Sequence, residues 1–206
     1  MIDRIVISII EYQLKLGTIT KCEVNIYRYG YKVLIEECFN IFLALFISNL
    51  LGKVTECIFL LIVLIPIRSF CGGYHAKYSW QCVILSNVSI LLILIFSDLL
   101  IMYYMSIVVY VLNDIIMAMI IIYFSPVGNN RKKLSKIEKR QLKKYAIMVI
   151  FIEVLLGIGF LIMRHKKIFN IIVGVHLLQI VSLLLAKLEH FRVVRCKLKN
   201  NTIDKK

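Results

Sequence analysis

Between two long apolar runs the chain carries the segment RSFCGGYHAKYSWQC, Arg68 to Cys82. It holds two glycines, two of the six cysteines and one of the four histidines. A cysteine becomes a nucleophile when a neighbouring base or cation favours its thiolate, and histidine is the usual partner. His75 has two cysteines near it, Cys71 and Cys82, and spacing alone does not choose between them. On a straight helix His75 and Cys82 would share a face yet stand about 10.5 Å apart along the axis, beyond the roughly 3 Å of a hydrogen bond. Cys71 would be one turn from His75, but Gly72 and Gly73 intervene, each costing about 1 kcal/mol in a helix. The glycines therefore predict an irregular turn. Such a turn lets a substrate backbone approach closely, and its exposed amides can stabilise a tetrahedral oxyanion. Arg68 can do the same, or grip a substrate carboxylate. Plainer readings stand beside these: Arg68 and Lys77 as anchors, the glycines as a loop, His75 as an interfacial polar residue, a cysteine as small apolar filler.

The elements that must hold this segment are set by composition. Of 206 residues, 60% are hydrophobic and 18% charged, and the mean hydropathy is +0.84. Soluble domains are about half apolar and about a quarter charged, so the chain reads as an all-α polytopic membrane protein. The net charge of +14 has no soluble basic domain to carry it. Nucleic-acid binding is therefore set aside in favour of basic loops facing an anionic cytoplasmic leaflet. Six scattered cysteines without a CxxC pair support neither a disulfide framework nor a metal or redox site, and no cofactor is implied. The start, MIDRIVISII, lacks a small-residue cleavage site and makes a poor signal peptide.

Residues 2–16 place Arg4, Ser8, Glu11 and Lys15 on one stripe. This predicts an N-terminal amphipathic helix, lying on the membrane surface or packed on the protein's own bundle. Six spans are expected: 34–51, 54–67 ending at Pro66, two within 83–124 with a turn near Tyr103 and Tyr104, then 145–163 and 168–186. The 83–124 run is long enough for two spans of about 20 residues each across about 30 Å of hydrocarbon. With the N-terminus inside, the cytoplasmic parts are 1–33, 68–82, 125–144 and the tail 187–206. They carry every Lys and Arg except Lys53, Arg164, Lys166 and Lys167, which puts both termini in the cytoplasm. RHKK at 164–167 sits on the wrong side, which leaves a re-entrant pair of final segments open. The membrane domain is thus 34–186, with 68–82 and the basic loop 125–144 on its inner face.

Asp114 and Glu153 fall inside predicted spans, where a charge costs about 2.5–3.5 kcal/mol. His176, in the last span, is a candidate partner, and contacts within the bundle are expected of all three. Asp98 reads as a cap of the third span. A small transporter using Asp114, Glu153 and His176 is an alternative function, as is a non-catalytic membrane scaffold; no internal repeat supports the former.

The string PIRSFCGGYHAKYSWQC resembles the signature of the accessory gene regulator B (AgrB) family, bacterial membrane cysteine endopeptidases that process a quorum-sensing pro-peptide. The pattern of Arg, Gly-rich turn, His-Ala and a Cys seven residues on is matched by Arg68, Gly72-Gly73, His75-Ala76 and Cys82. YRYGYKVLIEE (27–37) and SPVGNNRKKLSKIEKRQLKK (125–144) are similar to further family segments. The resemblance implies His75 as base and Cys82 as nucleophile, with Cys71 outside the catalytic pattern. It implies an AgrD-like autoinducer pro-peptide as substrate, a bacterial cell membrane as location, an active site at the cytoplasmic face, and a homodimer, although no small-xxx-small interface establishes one. Glu36, Glu37 or Glu56 are candidates to orient His75. Arg131, Lys132, Lys133 and Lys136 would meet anionic lipid or attract an acidic stretch of the pro-peptide.

Overall fold

The computed structural model describes residues 2–74, 79–99, 107–127 and 135–203. Seven helices account for nearly all of them: α1 (Ile2–Lys15), α2 (Val24–Leu50), α3 (Val54–Cys71), α4 (Ser79–Leu99), α5 (Ile107–Phe124), α6 (Lys136–Ile162) and α7 (Lys166–Ile203). Helices α2 to α7 are long and apolar enough to cross a membrane. The chain is an all-helical, multi-pass membrane protein.

Several boundaries differ from the sequence expectation, and in one direction: the helices run on. Helix α3 passes through Pro66 and stops only at Cys71. A proline removes one backbone donor, but in a membrane bundle the freed carbonyl is re-satisfied locally more often than the helix is abandoned. Helix α6 starts at Lys136, within the basic loop, because Ser135 caps it: its hydroxyl accepts the Glu138 amide and the Glu138 carboxylate accepts the Ser135 amide. This is a capping box spelled S-x-x-E. Helix α7 has 38 residues. About 20 cross the hydrocarbon, so the basic segment beyond them continues as helix rather than as a loose tail. The turn expected at Tyr103 and Tyr104 lies outside the described residues, between α4 and α5.

Helix α1 packs on the start of α2. Val6 and Ile10 are buried with Ile19 against Leu14, Val24, Tyr31 and Ile35, and Lys32 reaches Asp3 at 3.0 Å. The opposite apolar side chains, Ile5, Tyr12 and Leu16, stay exposed. Helix α1 is thus docked on the bundle through one face and keeps an apolar strip exposed on another. In the connecting turn the Thr20 amide and hydroxyl both donate to Glu23, holding its carboxyl below the ordinary range.

Helices α3 and α7 form the centre. Each packs against four others, α3 on α2, α4, α6 and α7, and α7 on α3, α4, α5 and α6. Leu60, Leu64, Ile67, Ile172, Val175 and Leu183 lie in the shared core. Close approach is helped by Gly174, whose missing Cβ would stand 2.9 Å from Ile93. Polar ties cross the apolar interior: Asn87 donates to Asn40 at 2.6 Å and Asn170 to the Ser97 carbonyl at 3.1 Å.

One end of the bundle gathers the turns after α2 and α6 and the C-terminal end of α4. There Lys167 bridges Glu56 (2.7 Å) and Asp98 (3.0 Å), while Lys53 pairs with Asp98 at 2.5 Å. Asp98 is therefore no helix cap: it sits near the C-terminal end of α4, where a carboxylate is disfavoured by the helix dipole, and two lysines hold it. The same network gives Lys167, part of the misfit RHKK string, an interhelical task. No re-entrant pair forms; α6 and α7 are full-length antiparallel helices joined at Met163–His165, with Arg164 in the left-handed region (φ 63°).

Candidate functional site

The opposite end holds the reactive segment. Helix α3 terminates at Gly72 with φ 71° and ψ −163°, a conformation essentially confined to glycine that costs a residue with a Cβ about 1–3 kcal/mol. The chain then runs extended and is clamped from two sides. On one side Gly72 forms an isolated parallel bridge with Val127, whose amide donates to the Cys71 carbonyl at 3.1 Å. On the other lies α7. Gln179 Nε2 donates to the Gly72 carbonyl at 2.7 Å. The Tyr74 amide donates to the Ser182 hydroxyl at 3.0 Å and the Ser182 carbonyl at 3.1 Å. Arg68 Nη2 reaches back to the Tyr74 carbonyl at 3.3 Å.

The glycines are the irregular turn that their pairing predicts, and the contacts narrow their chemistry. The Gly72 amide donates to the Arg68 carbonyl and the Tyr74 amide to Ser182, so oxyanion binding does not fall to these two groups. Arg68, half-buried, is tied to the turn's own backbone. Gly73 packs so closely on α7 that a Cβ would come within 2.4 Å of the Ser182 hydroxyl.

Cys82 lies near the start of α4, half-buried. Cys71 is fully buried in the core beside Ile67 and Leu64, where a small apolar side chain fits and a substrate does not reach. His75 lies outside the described residues, as do Arg131, Lys132 and Lys133; Lys136 is exposed in the first turn of α6. Lys143, from the same basic string, is committed elsewhere: its ammonium donates to the Ile122 and Ser125 carbonyls, capping the C-terminus of α5 as a cation does well. Glu56 is removed as an orienting group for His75. It sits in the first turn of α3, a helix of 18 residues, and so roughly 25 Å from the reactive turn at its other end. Glu36 is half-buried and Glu37 exposed on α2.

Below the turn the three intramembrane titratable residues meet. His176 Nδ1 lies 2.7 Å from Asp114 and Nε2 3.2 Å from Glu153, joining α7 to α5 and α6. His176, Asp114 and Glu153 are 0%, 1% and 4% exposed. Among the described residues no group of His, Cys, Asp and Glu is arranged to hold a metal ion.

Gln179 and Ser182 escape a sequence reading because neither is reactive. Their one signal is spacing: His176, Gln179 and Ser182 recur every three residues along a span whose other residues, Asn170 apart, are apolar or glycine, so they share a face. That face is the one turned to the Asp114–Glu153 pair and the reactive turn.

Searches of curated proteins and of solved structures gave no match. The family model described as Accessory gene regulator B matches residues 2–183. That span takes in α1, the reactive turn, the α7 residues that clamp it and nearly the whole bundle, so the chain belongs to the AgrB family.

Proposed function

We propose that the protein is a membrane cysteine endopeptidase that matures an autoinducer pro-peptide for quorum sensing, with Cys82 as nucleophile and His75 as base. The observation that carries this reading is the family match over residues 2–183 together with a motif that supplies His75 and Cys82 at the family's spacing. A turn fixed by backbone contacts on both sides suits a site that must hold a nucleophile and base in one geometry.

His75 accepts the Cys82 thiol proton as the sulfur attacks the scissile carbonyl carbon. The tetrahedral adduct collapses, the peptide C–N bond breaks, and His75 returns the proton to the leaving amine of the C-terminal fragment. The retained peptide is an acyl thioester on Cys82. A cysteine within the peptide then attacks the same carbon, closing a thiolactone and releasing the Cys82 thiol; a serine gives a lactone. Thioester exchange is nearly balanced in energy, and a site at the membrane edge restricts the water that would hydrolyse the intermediate. The reactive end is the basic end, with Arg68, Lys143 and Lys187, which supports a cytoplasmic face for it. The basic string that holds Arg131, Lys132, Lys133 and Lys136 would meet anionic lipid or attract an acidic stretch of the pro-peptide.

A transport role for Asp114, Glu153 and His176 has less in its favour. Asp114 and Glu153 both bond to His176, which accounts for the presence of all three without a pathway. The test is co-expression with the cognate pro-peptide, followed by mass spectrometry of the peptide. Cys82→Ala and His75→Ala are expected to leave it full length, while Cys71→Ala still cuts. Normal cutting by Cys82→Ala would end the protease reading.

A further inference from the structure

Among the described residues, the contacts that α7 makes with the backbone of the reactive turn come from two residues outside the dyad, Gln179 and Ser182. Gln179 is 1% exposed and Ser182 8%. Polar side chains buried in a spanning helix must find partners inside the protein. These two take theirs from the backbone that leads into His75, the Gly72 carbonyl and the Tyr74 amide. The contact needs the glycines: a side chain at Gly73 would strike Ser182, and one at Gly72 would strike the Val127 carbonyl on the other side. The turn is thus gripped between α7 and residues 125–127 with no slack for a methyl group. The rotation and height of α7 are themselves fixed one turn earlier, where His176 engages Asp114 on α5 and Glu153 on α6. Residues 176, 179 and 182 are spaced about 4.5 Å apart along the axis, so one interaction registers the next.

We propose that α7 is the positioning element of the site, with Gln179 and Ser182 as positioning residues that set where His75 stands relative to Cys82. The inference rests on the His75–Cys82 reading. Neither residue touches the reacting atoms. Gln179 fixes the carbonyl three residues before His75, and Ser182 fixes the amide of the residue immediately before it.

The test reads the thiol without a substrate. In membranes carrying a form whose other cysteines (22, 38, 57, 71 and 196) are alanine, N-ethylmaleimide labelling of Cys82 is timed at neutral pH by mass spectrometry. His75→Ala is expected to slow labelling at least about tenfold, since the base is gone. Gln179→Leu is expected to slow it about tenfold through misplacement of that base, and adding His75→Ala to Gln179→Leu should slow it little further. Ser182→Ala should slow it about threefold, because the Ser182 carbonyl still accepts the Tyr74 amide. With the cognate pro-peptide and the native cysteines, Gln179→Leu should lower kcat and leave KM unchanged. Native-rate labelling of Gln179→Leu beside slow His75→Ala would overturn the positioning role and leave the dyad standing. Native-rate labelling of His75→Ala would sink the dyad and the positioning role with it. If Gln179→Leu fails to accumulate in the membrane, Ser182→Ala decides: slowed labelling supports the proposal and a native rate overturns it.

Discussion

Replacing His176 with leucine is expected to lower the stability of the bundle by about 3–5 kcal/mol, the penalty of removing one partner from a buried imidazole–carboxyl cluster. The imidazole stands between two carboxyl groups at 2.7 and 3.2 Å, with all three side chains buried. Asp114 Oδ2 and Glu153 Oε1 already lack a described partner, so the leucine variant would leave both carboxyl groups buried without the ring between them. The readout is the thermal midpoint of the detergent-purified protein. The sign of a second variant separates ionic from steric causes. Replacing Asp114, Glu153 and His176 together by apolar residues of similar volume should recover most of the loss, since a whole buried group can be exchanged at little cost while half of one cannot. A His176→Leu protein as stable as the native chain would show that the cluster is not what holds α5, α6 and α7 together.

The second large effect is expected at Gly72. A Cβ there would lie 2.3 Å from the Val127 carbonyl oxygen, a backbone atom that cannot rotate away, and φ is 71°. Gly72→Ala must therefore open the bridge to residue 127, move the turn off α7, or both. A shift of about 1 Å at a site of this kind reduces turnover about a hundredfold, so processing of the pro-peptide should fall by that factor or more while the helical content stays native. Gly159→Ala is the matched control. Nothing lies within 4 Å of a Cβ at that position in α6, and an alanine there should leave processing unchanged. Equal activity in both variants would mean that the turn is far looser than its contacts require.

The six spans are legible in the sequence because each is a long apolar run, and the charge count orders them. Their ends are less legible. A proline reads as a stop, yet Pro66 lies inside α3, since proline is tolerated within membrane-spanning helices. Basic strings read as loops, yet α6 begins among them under its Ser135–Glu138 cap. The reactive turn is legible through its paired glycines and the family resemblance. What positions it is not. Gln179 and Ser182 lie more than a hundred residues from Gly72 and Tyr74, and only the packing of α7 beside α3 joins them. The same applies to Asp114, Glu153 and His176: their membrane depth marks each as needing a partner, while the partnership itself is tertiary. In RHKK at 164–167, too, the partners are tertiary: Lys167 pairs with carboxylates on α3 and α4.

The central claim is that Cys82 carries the peptide as a thioester. A pro-peptide whose ring-closing cysteine is replaced by alanine cannot complete the second step, so the intermediate should accumulate. After acid quenching, digestion and mass spectrometry, the account predicts the N-terminal part of the pro-peptide attached to Cys82, released by neutral hydroxylamine and absent in Cys82→Ala. Cleavage without any adduct on Cys82, or an adduct on Cys71 in its place, would contradict it.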